Sequence, residues 1–249
     1  MSPMNPRLMR PLARRQAPPQ NPLLTGLVAF WKLDNVNDSS GNGNNLTNTN
    51  ASFSAGRIGN AAYFDGTAYL TKNGGLAVSG TDVSITGWFK NIGSDYEDFL
   101  VGCGNVDNAM YIVRVGGDLK ASVSDSNSEL YAGGSGADDG EWHFFAVTRT
   151  ASVKKIWLDQ TVATSSGPFG SLNAFSPFSL GSNWNNSYLL LDGYLDAVGL
   201  WNRALTDAEI AQLYNGGAGI ETLSSTPPMT ANISLWTAES FDPVYHWST

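Results

Sequence analysis

The sequence predicts an all-β fold: a two-sheet antiparallel sandwich with one short C-terminal helix, set between an extended N-terminal arm and a C-terminal tail. Three observations predict it. Short runs rich in β-branched and aromatic residues (8 Trp, 9 Tyr and 11 Phe) alternate with turns supplied by 27 glycines and many Asn and Asp residues. Charged residues make up only 14% of a chain of 249 residues, enough length to bury a sizeable core. A single stretch carries the spacing and punctuation of a helix, so a parallel α/β sheet is excluded.

In chain order, residues 1–24 form an arm rich in proline and arginine, a composition that builds no core. Residues 25–221 form the body. Its first strand is Leu27-Val-Ala-Phe-Trp-Lys-Leu, followed by a polar loop over 35–50. Asp65-Gly66, between the runs at 61–64 and 68–71, marks a hairpin. Val83-Ser-Ile-Thr-Gly-Trp-Phe alternates apolar with polar residues and reads as a half-buried strand. Further strands are expected at 98–103, 109–115, 118–124, 141–149, 153–159 and 177–181, and the last over 193–201. Thr206 with Glu209 is a capping box, and Asn215-Gly216 stops the helix that it opens. Ile210, Leu213 and Tyr214 give that helix one apolar face to lay on the sandwich. Residues 222–249 form a tail with Trp236, Phe241, Tyr245 and Trp247.

The order of these segments resembles a known family. Gly26-Leu-Val-Ala-Phe-Trp-Lys-Leu-Asp34, Asp38-Ser-Ser-Gly-Asn-Gly-Asn-Asn45 and Gly56-Arg-Ile-Gly-Asn-Ala-Ala-Tyr-Phe-Asp-Gly66 are similar to the opening strands and loop of laminin-G-like jelly-roll domains of the concanavalin A-like superfamily. Val83 to Phe89, the Gly-x-Trp-His strand at Gly140 to His143, and Lys155-Ile-Trp-Leu-Asp159 resemble the middle strands. Leu191 to Ile210 resembles the closing strand and helix. The resemblance covers residues 25–217 and implies a two-sheet jelly roll that binds carbohydrate or protein, with one Ca²⁺ in many members. The sequence departs from the pattern at Asp159-Gln160, where the family has Asp-Gly.

Charge is unevenly placed. Residues 1–20 hold Arg7, Arg10, Arg14 and Arg15 and no acid, while the remainder has ten basic and 22 acidic residues, a net of −12. An acidic body repels nucleic acid and favours cations or neutral ligands. No apolar run is long enough to span a bilayer, and no apolar core of a secretory signal follows the basic start. Cys103 is the only cysteine and reads as a buried small hydrophobe.

Catalytic chemistry finds little footing. A glycosidase needs two flanking carboxylates, and Asp95, Glu97 and Asp98 sit beside Gly93-Ser94 in what reads as a turn. His143 and His246 are the only histidines, and neither stands in a nucleophile or zinc pattern. Calcium takes six to eight oxygen ligands; Asp34, Asp65, Asp192 and Asp196, all within the family-like segments, are its candidate ligands. Asp65 and Asp192 also fit Asp-Gly turns, and Asp34 and Asp196 strand-end caps. A sugar site asks for an exposed aromatic platform beside amides. Trp184 between Asn183 and Asn185, with Tyr96 and Tyr131, meets that description.

The four arginines of the arm and the four aromatics of the tail suit docking onto other structural proteins or copies of the chain. The plan of a lectin-like body with an anchoring arm is similar to that of phage and viral virion proteins. The expectation is a non-enzymatic attachment module at a virion or extracellular surface, a capsid decoration, fibre or tail appendage. A free carbohydrate-binding lectin is the alternative, and a glycoside hydrolase the third.

Overall fold

A computed structural model describes residues 21–104, 110–123, 129–133, 136–172, 176–183 and 185–223. Within it Pro22–Leu223 forms one compact unit. The arm residues Arg7, Arg10, Arg14 and Arg15, the tail residues Trp236, Phe241, Tyr245 and Trp247, and Trp184 lie outside the described residues.

Fifteen strands follow in order: β1 (Leu27–Trp31), β2 (Thr47–Thr49), β3 (Ser52–Ala55), β4 (Asn60–Asp65), β5 (Tyr69–Lys72), β6 (Val83–Asn91), β7 (Glu97–Cys103), β8 (Met110–Val115), β9 (Asp118–Val123), β10 (Leu130–Ala132), β11 (His143–Arg149), β12 (Val153–Leu158), β13 (Thr161–Ser166), β14 (Phe178–Leu180) and β15 (Asp192–Trp201). The helix α1 (Asp207–Tyr214) follows them. One sheet of eight strands runs β13-β12-β11-β6-β15-β4-β3, with β1 also on β15. The other, of seven, runs β10-β9-β8-β7-β14-β5-β2. The named strands pair antiparallel throughout. The expected sandwich is therefore present. β1 pairs with β15, Leu27 opposite Trp201, so the first and last strands of the body meet.

The period of two along each strand splits its side chains between two environments. Phe145 and Val147 point into the space between the sheets with Trp31, Phe64, Phe89, Ile112 and Phe178. Phe144 and Ala146, one position over, join a second apolar layer with Trp88, Trp157, Trp201, Ile210 and Leu213, where α1 covers the eight-stranded sheet. The helix is capped as read: Glu209 N–H donates to Thr206 Oγ1, and Thr206 N–H donates to Glu209 Oε2 at 2.8 Å. Gly199 lets the Trp201 ring lie flat on the strand, since a Cβ there would stand 2.4 Å from the ring.

Two readings are corrected by this second layer and by the inter-strand pairing. β6 is buried on both faces along nearly its whole length, not half-buried. Its polar side is covered because Ser84 Oγ donates to the Arg203 carbonyl and accepts from Leu205 N–H, both at 2.8 Å. Glu97 and Asp98 open strand β7 rather than forming a turn; Asp98 faces Arg114 across the ladder and both are buried.

The compact unit also begins before the first strand. Pro22–Leu24 forms a short 3-10 turn, Leu23 is fully buried, and the Leu23 carbonyl accepts from Trp201 Nε1 at 2.7 Å. Residues 22–24, which the sequence assigns to the arm, therefore belong to the body, anchored by the buried Leu23.

Candidate functional site

Strands β7 to β10 carry a surface that alternation fixes. Ile112, Leu119 and Ala121 belong to the inter-sheet core, so their neighbours Tyr111, Val113, Lys120 and Ser122 face away from it. Tyr111 lies opposite both Gly102 and Ser122, and Lys120 opposite both Val113 and Tyr131, which forms two adjacent rows, one over β7 to β9 and one over β8 to β10. Phe99 meets Tyr111 edge-on at 5.9 Å between ring centroids and Tyr188 at 6.0 Å. Tyr96, Tyr131 and Tyr188 are exposed to 72%, 48% and 53%, a degree that burial alone does not reward in tyrosine.

Glu129 is the polar centre of this face. Its Oε1 accepts from the Tyr111 hydroxyl at 2.5 Å and its Oε2 from the Tyr131 hydroxyl at 3.0 Å. These donors, Tyr111 first, hold its carboxyl below the usual range. Burial, and then the Glu129 carboxylate, push the Tyr111 phenol upward. Lys120 Nζ stands 3.6 Å from Glu129 and 3.7 Å from Glu97, with the Tyr111 ring 5.8 Å away. The arrangement offers a flat aromatic floor, a fixed carboxylate acceptor and an ammonium donor, the groups that bind the CH face and hydroxyls of a sugar.

The connection from β14 to β15 borders the same face. Ser182 and Asn183 back onto Gly102, where an added Cβ would stand 2.5 Å from the Ser182 carbonyl oxygen. Asn186 Oδ1 accepts from Ser179 and Ser182 hydroxyls at 2.9 and 2.7 Å. The expected amide Asn183 is fully buried, and its Oδ1 accepts from Ser187 N–H at 3.1 Å. It shapes the loop and is closed to ligand, which corrects its place in the binding set. Asn185 is exposed. Thus Tyr96, Tyr131 and Asn185 stand at the surface.

The four aspartates divide into two pairs. Asp65 and Asp192 face each other in the β4–β15 register. Asp65 Oδ1 accepts from Thr67 N–H at 3.0 Å and its hydroxyl at 2.7 Å, an Asx-type turn that lowers its pKa. Asp196 lies four residues further along β15, beside Asp34. Asp34 Oδ1 accepts from Asn60 N–H and Asp196 Oδ2 from Ile58 N–H, each at 2.8 Å. Asp196 is fully buried, its Oδ1 has no partner, and burial pushes its pKa up to about 7. As a test of calcium, Asp34 and this unpartnered oxygen suit a cation, yet Lys32 lines the same small cavity. Among the described residues no three His, Cys, Asp or Glu side chains converge as metal ligands. A shell of six to eight oxygens would need backbone carbonyls and water there, and the four aspartates do not make one site.

His143 is held between two carboxylates. Its Nδ1 lies 2.8 Å from Asp159 Oδ2 and its Nε2 3.0 Å from Asp139 Oδ1, and the two carboxylates, Asp159 first, raise its pKa to about 9. The departure at Asp159-Gln160 is accommodated by Asp159 taking the left-handed conformation, φ 52°. Asp159 Oδ1 then accepts from Phe144 N–H at 2.8 Å.

Tyr111, Lys120, Glu129, Phe99 and Tyr188 were not among the expected site residues. The signal for two of them was present: alternation in Met110-Tyr-Ile-Val-Arg-Val and Asp118-Leu-Lys-Ala-Ser-Val turns Tyr111 and Lys120 outward. The union of Glu129 with both tyrosines depends on which strands are neighbours, and no local pattern contains that.

Comparison with known proteins agrees with the fold. The family model described as concanavalin A-like lectin/glucanases superfamily matches residues 64–211, more than half of the chain. No curated protein sequence matches. Among solved structures, domain 4 of an extracellular arabinanase from Geobacillus stearothermophilus, in complex with arabinotriose, is similar at 20% identity and TM-score 0.59, over 75% of this chain and 97% of that one. The binding domain of Paraclostridial Mosquitocidal Protein 1 is similar at 17% identity and TM-score 0.63, over 78% of this chain and 53% of that one. The binding domain of Botulinum Neurotoxin DC in complex with SialylT is similar at 12% identity and TM-score 0.61, over 78% of this chain and 52% of that one. The chain therefore spans about half the length of these toxin binding domains.

Proposed function

Because the chain belongs to the concanavalin A-like lectin/glucanase superfamily, we propose that its body is a non-enzymatic glycan-binding module used for attachment. The observation that carries this reading is the outward face where two tyrosines hold Glu129 beside Lys120. Tyr96, Tyr131 and Tyr188 supply exposed ring area around it. The arabinotriose and SialylT complexes of the similar structures support sugar as the ligand class. Binding of an oligosaccharide array is expected to weaken at least tenfold in Glu129→Gln and Tyr131→Ala, with the melting temperature held. An array silent with and without calcium ends the proposal.

A hydrolase reading also has one observation in its favour. Glu97 and Glu129 share Lys120 Nζ, at 3.7 and 3.6 Å. Sharing one ammonium keeps the two carboxylates no farther apart than glycosidase pairs, about 5–9.5 Å. The ammonium between them fills the place of the scissile bond, and the depressed pKa of Glu129 unfits it as a proton donor. Oligosaccharides incubated with the protein are accordingly expected to be recovered intact by chromatography.

The attachment role assigns residues 1–20 and 224–249 to docking onto structural proteins or further copies, at a virion or extracellular surface, with the sheet face left free. Its support is the contrast between four arginines in residues 1–20 and a net charge of −12 in the remainder. Calcium enters the proposal only at Asp34 and Asp196. Millimolar CaCl2 is then expected to raise the melting temperature, and Asp196→Asn to abolish that gain.

A further inference from the structure

We infer that the face built around Glu129 selects uncharged oligosaccharides and rejects those bearing sialic or uronic acids. The inference rests on the glycan-binding reading and names the ligand class of that same site. Its first ground is the charge balance of the sequence that supplies these strands. From residue 92 to residue 142, the stretch between β6 and β11, the sequence has ten acidic residues and two basic ones, Arg114 and Lys120. A lectin that captures carboxylated sugars commits an arginine or lysine to the carboxylate.

Neither base is available for that purpose. Arg114 points to the opposite side of the sheet and is 1% exposed. Its Nε donates to Asp98 Oδ2 at 3.0 Å, and its other nitrogens donate to Asp98 and to the carbonyls of Asp95 and Gly116. Lys120 does face outward, but its ammonium is shared between Glu97 and Glu129, and its side chain is only 14% exposed. An incoming carboxylate would meet an ammonium already neutralised twice over, beside a Glu129 carboxylate fixed by two tyrosines. The two glutamates and one lysine leave this cluster with a net charge of −1.

A sugar hydroxyl meets the reverse situation. It can donate to the remaining lone pairs of Glu129 and Glu97 and accept from Lys120, while its CH face lies on Tyr111 and Tyr131. Two rows of donors and acceptors across adjacent strands fit a run of vicinal hydroxyls. The same field that repels acidic sugars tolerates amino sugars in their protonated form.

The test compares pairs of oligosaccharides that differ only in one acidic residue, such as lactose-terminated chains with and without sialic acid, and xylo-oligosaccharides with and without glucuronic acid. Binding is measured by calorimetry at low and high NaCl on the full chain. The neutral member of each pair is expected to bind about tenfold more tightly at low salt, with the gap narrowing at high salt as screening removes the repulsion. Glu97→Gln frees Lys120 and is expected to raise affinity for the acidic members several-fold relative to the neutral ones. Equal or tighter binding of acidic members, or a Glu97→Gln variant with unchanged discrimination, overturns the inference and leaves the glycan-binding reading standing. Failure of every member to bind overturns both.

Discussion

Two buried or half-buried residues set opposite pH demands from those of the surface acids. Asp196 has its pKa raised to about 7 by burial, so its charged form is disfavoured in the folded state. The unfolded chain releases that proton near pH 4 and the folded chain near 7, so stability falls as pH rises through that window, by up to about 1.4 kcal/mol per unit. Asp196→Asn, measured in EDTA, is expected to flatten this fall and to melt higher than the parent at pH 8. His143 has its pKa raised to about 9 by Asp159 and Asp139, and its contribution is complete below about 6.5 and lost as pH rises through 9. His143→Gln is expected to melt lower at pH 6 and to match the parent near pH 10 by calorimetry. Asp196 and His143 were both named from sequence, Asp196 as a candidate cation ligand and His143 as outside any nucleophile or zinc pattern. Their titration was not legible there, because it depends chiefly on groups distant in the chain, Asp159 for His143 and the β3–β4 connection at Ile58 for Asp196.

Among elements, legibility followed burial. β6, β11 and β15 announce themselves by apolar content, and α1 by its capping box. The strands without a sequence signal are β2, β3, β10 and β13, and these are the outermost strands of the two sheets. Their residues, Thr-Asn-Thr, Ser-Phe-Ser-Ala and Thr-Val-Ala-Thr-Ser-Ser among them, are mostly exposed. An edge strand is held by its neighbour's hydrogen bonds and needs few apolar side chains of its own, and polar edges discourage pairing between molecules. Valine and isoleucine replacing Thr161, Thr164 and Ser166 together are expected to promote oligomers visible in light scattering. At α1, Glu209 receives both the Thr206 amide and Arg203, at 2.6 Å from Arg203 Nη2, and its pKa falls to about 2. Thr206→Ala is expected to cost about 1 kcal/mol in chemical denaturation.

At the scale of the whole molecule, the order of segments was enough to name the sandwich, the closing strand and the covering helix, but the place where the body begins was not. The cue lies in Trp201 and Arg203, which reach back some 180 residues in the chain to the carbonyls of Leu23, Pro22 and Thr25. Truncation should respond accordingly. A chain starting at Pro22 is expected to keep the parent's melting temperature, whereas one starting at Thr25 loses the buried Leu23 and the acceptor of Trp201 and is expected to melt several degrees lower. Only the first variant can test whether the arm is needed for assembly, since the second confounds docking with folding.

The pairing of β1 with β15 has a mechanical consequence. Leu27 stands opposite Trp201 in an antiparallel ladder, so the strand entering the domain and the strand leaving it meet at the same end. Tension drawn between residues 22 and 223 would first loosen the grip of Trp201 and Arg203 on the Pro22–Leu24 turn and on Thr25. It would then open the ladder one hydrogen bond at a time, as a zipper opens from its slider, where a ladder loaded in shear resists with all its bonds together. A module anchored through one terminus alone would keep that ladder unloaded while bound cargo pulls on the opposite sheet.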